Sequence, residues 1–269
     1  VRSRLALGGT VRDVNQRPLI LLSNDDGIHA VGIDALARAL ELIADVVVVA
    51  PSSERSATSH SITLDRPLRL RQLSPGRFSV DGLPVDCVYI ALHHKQLLPR
   101  KPDIVVSGIN HGLNMGRDVY YSGTIAAARE ATLRGIDAMA VSTVAEADFA
   151  AVAQVAATIA IELIRRARER GPGDTVALWN VNVPSVDPLK GVAITRVGER
   201  IYDDMVEVRA DTRGRPYLWI GGPTVRHGPQ EGTDTTAFDQ GFVSLTPLTI
   251  DATHHREINE LSKWLTIKL

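Results

Sequence analysis

Two adjacent carboxylates, Asp25 and Asp26, stand in the stretch ILLSNDDGIHAVGIDALARAL (residues 20–40), where an apolar run gives way to a helical pattern. Two like charges side by side repel unless a cation lies between or beside them. A hard divalent ion removes that repulsion and takes oxygen ligands. Asp-Gly is also a common turn pair, and Asn24 to Gly27 could close a two-residue hairpin. A hairpin needs a second strand at once. The chain instead continues through Ile33, Leu36, Ala37, Leu40 and Ile43, the spacing of a one-faced helix. The acidic pair is therefore expected on a turn from strand to helix.

Further oxygen-bearing side chains recur after two later apolar runs. The polar stretch PSSERSATSHS (51–61) comes after DVVVVA and carries Ser56, Ser59 and His60. DIVVSG (103–108) is followed by Asn110 and Asn114, and then by Ser122, Gly123 and Thr124. Asp25, Asp26, Ser56 and Asn110 make an all-oxygen set. With no cysteine or histidine cluster at metal spacing, Mg²⁺ or Mn²⁺ is favoured over Zn²⁺; the plainer alternative is a pair of solvated turn acids. Ser122, Gly123 and Thr124 open a helix whose first N–H groups are free and whose dipole favours anions. Gly123 permits close approach of the backbone, and the two hydroxyls can donate to phosphate oxygens. Ser122 can equally be a simple N-cap, and both readings can hold. Among the histidines, His60 shares the loop of Ser56 and is a candidate to face the site. His29 comes just after the acidic turn as a candidate proton-handling group. His93 and His94 read as solvated, and His227, His254 and His255 receive no role.

These loops require a particular scaffold. Strand-like runs at 18–23, 45–50, 103–108, 138–143 and 175–184 alternate with helical patterns near 33–43, 84–95, 123–134 and 148–170. That alternation specifies an α/β fold with a doubly wound, mainly parallel sheet covered by helices on both faces. Ligands bind such sheets at the carboxyl ends of the strands, where all three loops fall. RPLRLRQL and GRFSVDG read as a short antiparallel insertion. Beyond residue 185 shorter pieces, VAITRVG, MVEVRA and PYLWIGG, suggest an antiparallel hairpin arm, followed by a returning strand at 241–248 and a helix over 255–266 through Ile258, Leu261 and Leu265. The expected division is an extension at 1–17 that is poorly ordered, a catalytic core at 18–185, and an arm, returning strand and terminal helix at 186–269.

Composition narrows the class. A net charge of −1 over 269 residues argues against a nucleic-acid duplex as partner. No apolar run approaches a membrane span, and the first 17 residues lack an apolar signal core. The single cysteine, Cys87, rules out an internal disulfide and fits a cytoplasmic protein.

The blocks ILLSNDDGIHAVGI, APSSERSATSHSIT, DGLPVDCVYIAL, VSGINHGLNMGRDVYYSGTIAAARE, NVNVP and GTDTTAFDQGFVSLTPL, in this order from about 18 to about 254, resemble the SurE (survival protein E) family of nucleotidases. The resemblance implies a Rossmann-like core, a metal-dependent phosphatase acting on nucleoside 5′-monophosphates, and a homodimer or homotetramer formed by exchange of C-terminal elements. It matches Asp25, Asp26, Ser56 and Asn110 to the metal ligands, and Asn114, Ser122, Gly123 and Thr124 to the phosphate pocket. His60 falls where many relatives carry asparagine, and residues 1–17 have no counterpart. The implied reaction is hydrolysis of a phosphate monoester, with Asp25, Asp26, Asn114, Ser122 and Thr124 as the catalytic group. Attack by a metal-activated water and by an aspartate nucleophile both remain open. Two rival readings use the same rim: a phosphoryl or glycosyl transferase, which needs an acceptor site, and a nucleotide-binding sensor without turnover, which has little need of paired acids.

Overall fold

The computed structural model describes residues 16–202, 205–221 and 225–264, except the side chains of Val225, Asn259, Ser262 and Trp264. The expectations for residues 1–15 and for Leu265 lie outside the described residues.

The first strand explains the architecture. β1 (Leu19–Ser23) is buried along its whole length, as a central strand covered on both faces must be. Its alternate side chains enter two separate cores. Ile20 and Leu22 pack with Ile33, Leu36 and Leu40 of α1 (Val31–Glu41) and with Leu163 of α4 (Phe149–Glu169). Leu19 and Leu21 pack with Val88 of α2 (Pro84–His93) and Ile125 of α3 (Gly123–Leu133).

Around β1 stand β2 (Asp45–Pro51), β3 (Leu70–Ser74), β4 (Arg77–Val80), β5 (Ile104–His111), β6 (Asp137–Thr143) and β7 (Leu178–Val183). β8 (Val192–Ile194) and β13 (Val243–Leu248) complete one nine-stranded sheet in the order β3-β4-β2-β1-β5-β6-β7-β13-β8. β1 pairs in parallel with both β2 and β5. The chain thus winds outward on one side, returns, and winds outward on the other. The switch point lies between β1 and β5, where their connecting loops diverge and leave a crevice.

The two antiparallel joints are β3 with β4 and β13 with β7. The first is the expected insertion. The second draws residues from beyond 185 into the main sheet, so the segments 18–185 and 186–269 share it. The arm consists of β10 (Met205–Ala210) paired antiparallel with β11 (Pro216–Gly221), beside a smaller pair of β9 (Arg200–Tyr202) and β12 (Val225–His227). A short helix α5 (Asp234–Asp239) and a terminal helix α6 (His255–Trp264) complete the chain. Arg17 pairs with Asp45 at 3.1 Å, its carbonyl accepts from Arg100 at 2.6 Å, and the Gln16 carbonyl accepts from Arg168 at 2.7 Å, so described residues 16 and 17 are tied to the fold.

Candidate active site

The turn after β1 is built by its own side chains. Asn24 is fully buried; its amide donates to the Gly27 carbonyl at 2.9 Å and accepts the Gly27 N–H at 3.2 Å. Gly27 has φ +99°, which an L side chain rarely adopts. The clamp leaves Asp25 pointing under the start of α3, where the Thr124 hydroxyl donates to its Oδ1 at 2.5 Å. Burial pushes Asp25 up to about 6, opposed by the Thr124 bond and reinforced by the negative charge of Asp26. Burial also raises Asp26, with His111 opposing and Glu54 adding to the rise. No lysine or arginine is among the groups that set either titration. Asp25, buried, and Asp26, half-buried, are thus held together, with the His111 ring offsetting part of their charge.

α3 approaches this pair end-on. The Ser122 hydroxyl caps the helix by accepting the Ile125 N–H at 3.1 Å, which leaves its own proton for a further acceptor. A Cβ at Gly123 would lie 2.9 Å from both Cβ and Oδ2 of Asp25, so only glycine lets the helix come this near. The loop 51–61 closes the third side: the Arg55 N–H donates to the Asp25 carbonyl at 2.7 Å and the Ser59 N–H to the Tyr121 carbonyl at 3.0 Å. Ala57 and Ser59 take φ of 54° and 50°, a left-handed conformation that costs a non-glycine residue about 1 kcal/mol.

The result is a cleft of about 270 Å³ lined by Asp25, Asp26, Ser56, Asn110, Asn114 and Ser122, with Glu54, His111, Asp118 and Tyr121 at its rim. The four expected metal ligands therefore meet in one place. Ser56 donates to Glu54 at 2.7 Å, and the Asn110 amide nitrogen donates to the Gly112 carbonyl at 2.8 Å, which leaves oxygen lone pairs on both. Among the described residues, no three His, Cys, Asp or Glu side chains form a metal cluster. A cation here would rest on two carboxylates supplemented by hydroxyl and amide oxygens, a donor set that fits a hard divalent ion.

Three expectations change. Thr124 is fully buried and its hydroxyl proton goes to Asp25, so its side chain holds a carboxylate rather than facing a phosphate. His60 does not line the cleft; its Nε2 meets Glu130 Oε2 at 3.0 Å. His29 is exposed and also outside the lining.

Other contributors had no assignment from sequence. The Asn114 N–H donates to Asn182, its carbonyl accepts from Asn180 at 2.7 Å, and its side chain donates to Ser142 at 2.8 Å. The i, i+2 spacing of Asn180 and Asn182 in an apolar strand is the signal that could have found them. His111, immediately after Asn110, donates its N–H to Asp26 at 3.3 Å and packs its ring on Phe149. Asp118 binds Arg200 and Tyr202 of β9. Asp234, fully buried, accepts the N–H groups of Gly116, Gly198 and Thr235 at 3.1, 2.7 and 2.8 Å.

A cleft with paired acids and a helix N-terminus at a sheet switch point narrows the field, and similarity decides it. The family model "Survival protein SurE" matches residues 20–204. The chain belongs to the SurE family. The 5′-nucleotidase SurE of Sorangium cellulosum is 52% identical over 236 residues, covering 87% of this chain and 91% of the relative. That of Syntrophotalea carbinolica is 47% identical over 247 residues, covering 91% and 97%. The crystal structure of the SurE protein from Aquifex aeolicus superposes with a TM-score of 0.79 at 37% identity, covering 91% of this chain and 99% of that one. The SurE relationship thus spans both the sheet and the segments beyond it, and a divalent cation is consistent with it.

Proposed function

We propose that this chain is a metal-dependent 5′-nucleotidase that hydrolyses nucleoside 5′-monophosphates to nucleoside and phosphate. The observation that carries the reading is the adjacent Asp25–Asp26 pair, desolvated and with no lysine or arginine among the groups acting on it, facing the Ser122 end of α3. The relatives named 5′-nucleotidase support the same activity here.

One divalent ion, Mg²⁺ or Mn²⁺, would be held by Asp25, Asp26, Ser56 and Asn110. Bound there, it supplies a Lewis acid that polarises the phosphoryl group. Ser122 offers its hydroxyl proton and Gly123 its backbone N–H to the phosphoryl oxygens, and Asn114 adds its amide from the opposite wall. These donors stabilise charge as the ester bond breaks. Thr124 keeps Asp25 in the rotamer that faces the cleft. Catalysis is assigned to 18–185 and assembly to 186–269. We extend the proposal to a cytoplasmic setting, which the buried free thiol of Cys87 supports.

The direct test is release of inorganic phosphate from a panel of nucleoside monophosphates. Activity is expected to vanish in EDTA and to return with Mn²⁺ or Mg²⁺. Full turnover after exhaustive dialysis against chelator would remove the metal, and binding of nucleotide without phosphate release would favour the sensor.

The same reading includes a homodimer or homotetramer made by exchange of C-terminal elements. The hairpin β10–β11 supports it, because Val208, Leu218, Trp219 and Ile220 are 60% exposed or more, an apolar surface that water disfavours. Light scattering at micromolar concentration should give a dimer or tetramer, weakened by truncation after residue 250. A monomer would contradict this part of the proposal.

A further inference from the structure

We propose that His60 and Glu130 form a positioning pair that sets the Ser56 loop against the two aspartates, and so tunes the affinity of the site for its cation. The inference rests on the reading of Asp25, Asp26, Ser56 and Asn110 as cation ligands.

Ser56 is exposed and its hydroxyl bonds within its own loop, to Glu54. Its position therefore depends on what holds the loop. The backbone there is strained at Ala57 and Ser59, so external anchors must keep it in place. On the upstream side the anchor is the Arg55 N–H on the Asp25 carbonyl. On the downstream side Ser59 bonds the Tyr120 and Tyr121 carbonyls, at 2.9 Å through its hydroxyl and 3.0 Å through its N–H. Both partners stand at the end of the short 3-10 turn, Gly116–Tyr120, that leads into α3.

His60 supplies a different kind of anchor. Its Nε2 reaches Glu130 Oε2 at 3.0 Å, two turns down α3. Glu130 is a poor candidate for a solvated helix charge: its side chain is 4% exposed and its other oxygen is bound by Arg134 at 2.8 Å. Arg134 and His60 together hold the Glu130 carboxyl below the usual range despite its burial. A fixed carboxylate on a rigid helix thus grips the strained loop near its downstream end. His60 Nδ1 is buried without a partner, so the ring has this one hydrogen bond. The imidazole then acts as a strut from α3 to the loop, away from the reacting atoms.

Outer partners that orient metal ligands are worth about 10- to 100-fold in metal affinity. The experiment is calorimetric titration of the metal-free protein with Mn²⁺. His60→Ala is expected to bind Mn²⁺ about 10- to 100-fold more weakly than wild type. His60→Gln, whose side-chain amide can reach the same carboxylate, should recover most of that affinity. Arg134→Ala removes the other partner of Glu130 but leaves the His60 bond to the loop, and should lose clearly less Mn²⁺ affinity than His60→Ala. His60→Leu keeps the volume but no donor and must share the loss, which covers the case of an unfolded alanine variant. Wild-type affinity in His60→Ala or His60→Leu overturns the proposal. So does an equal loss in Arg134→Ala, which would mark a general loosening of α3. A wild type that takes up no Mn²⁺ removes the metal reading itself, a failure distinct from these.

Discussion

Asp25→Asn will lose about 1,000-fold or more in turnover, yet in chelator at pH 8 it will melt above wild type. The first effect comes from removing one of two charges that face the cation. The second comes from burial. The Asp25 carboxyl is pushed up to about 6, so folding disfavours its charged form. In strong acid the group is protonated in the folded and unfolded chain alike, and no penalty exists. As pH rises through the ordinary carboxylate range toward 6 the penalty grows, and above 6 it is complete at about 3 kcal/mol. Asparagine carries no charge, and its amide oxygen can still accept the Thr124 hydroxyl. The metal-free variant is therefore the more stable protein. Adding Mn²⁺ should raise the wild-type melting temperature and leave the variant almost unmoved, and below pH 6 protons should compete with the ion. Phosphate release and scanning calorimetry with and without EDTA check both halves. A variant that melts below wild type in chelator would refute the buried-charge penalty. Wild-type turnover would move the chemistry elsewhere on the chain.

Gly123→Ala should fold and fail. Position 123 is the first residue of α3, where alanine suits a helix better than glycine. The added methyl, however, would meet Asp25 at 2.9 Å and the Thr58 hydroxyl at 3.1 Å. Either the helix end or the carboxylate must move, and a displacement of 1 Å at a reacting centre costs about 100-fold. Mn²⁺ affinity should fall as well, because the displaced group is a proposed ligand. Ser122→Ala provides the contrast. It removes a donor to phosphate and the helix cap, so turnover should drop about 30- to 1,000-fold while Mn²⁺ binding persists. Titration beside phosphate-release assays separates the two. If Ser122→Ala lost the metal as fully as Gly123→Ala, the division into a cation half and a phosphate half would be wrong.

The sheet was legible because strands covered on both faces read as unbroken apolar runs, and DVVVVA and DIVVSG admit little else. The acid pair was legible because two adjacent charges at a strand end need a local reason. Partners across the fold were not. Thr124 lies 99 residues from Asp25, and its hydroxyl reads the same whether it faces a phosphate or a carboxylate. Glu130 carries no mark of burial in the chain, and its partner His60 lies 70 residues away. His111 gave no signal of its own in the chain, because its partner Asp26 lies 85 residues away and only the fold brings them together. Beyond residue 185 the run at 241–248 read as a returning strand and is β13 of the main sheet, but the shorter runs gave no periodicity that could distinguish β8, which joins that sheet, from β10 and β11, which leave it.

One carboxylate links regions that the chain order keeps apart. Asp234 accepts hydrogen bonds from Gly116, which lies in the turn leading to Ser122, and from Gly198, two residues before β9 at the base of the arm. Both loops are fastened to the same small group. Under the proposed assembly, a load that a neighbouring subunit placed on the arm would reach the entrance of α3 through that fastening. Asp118 makes a second such tie, to Arg200 and Tyr202 of β9, so the base of the outer limb and the mouth of the cleft are pinned together at two carboxylates.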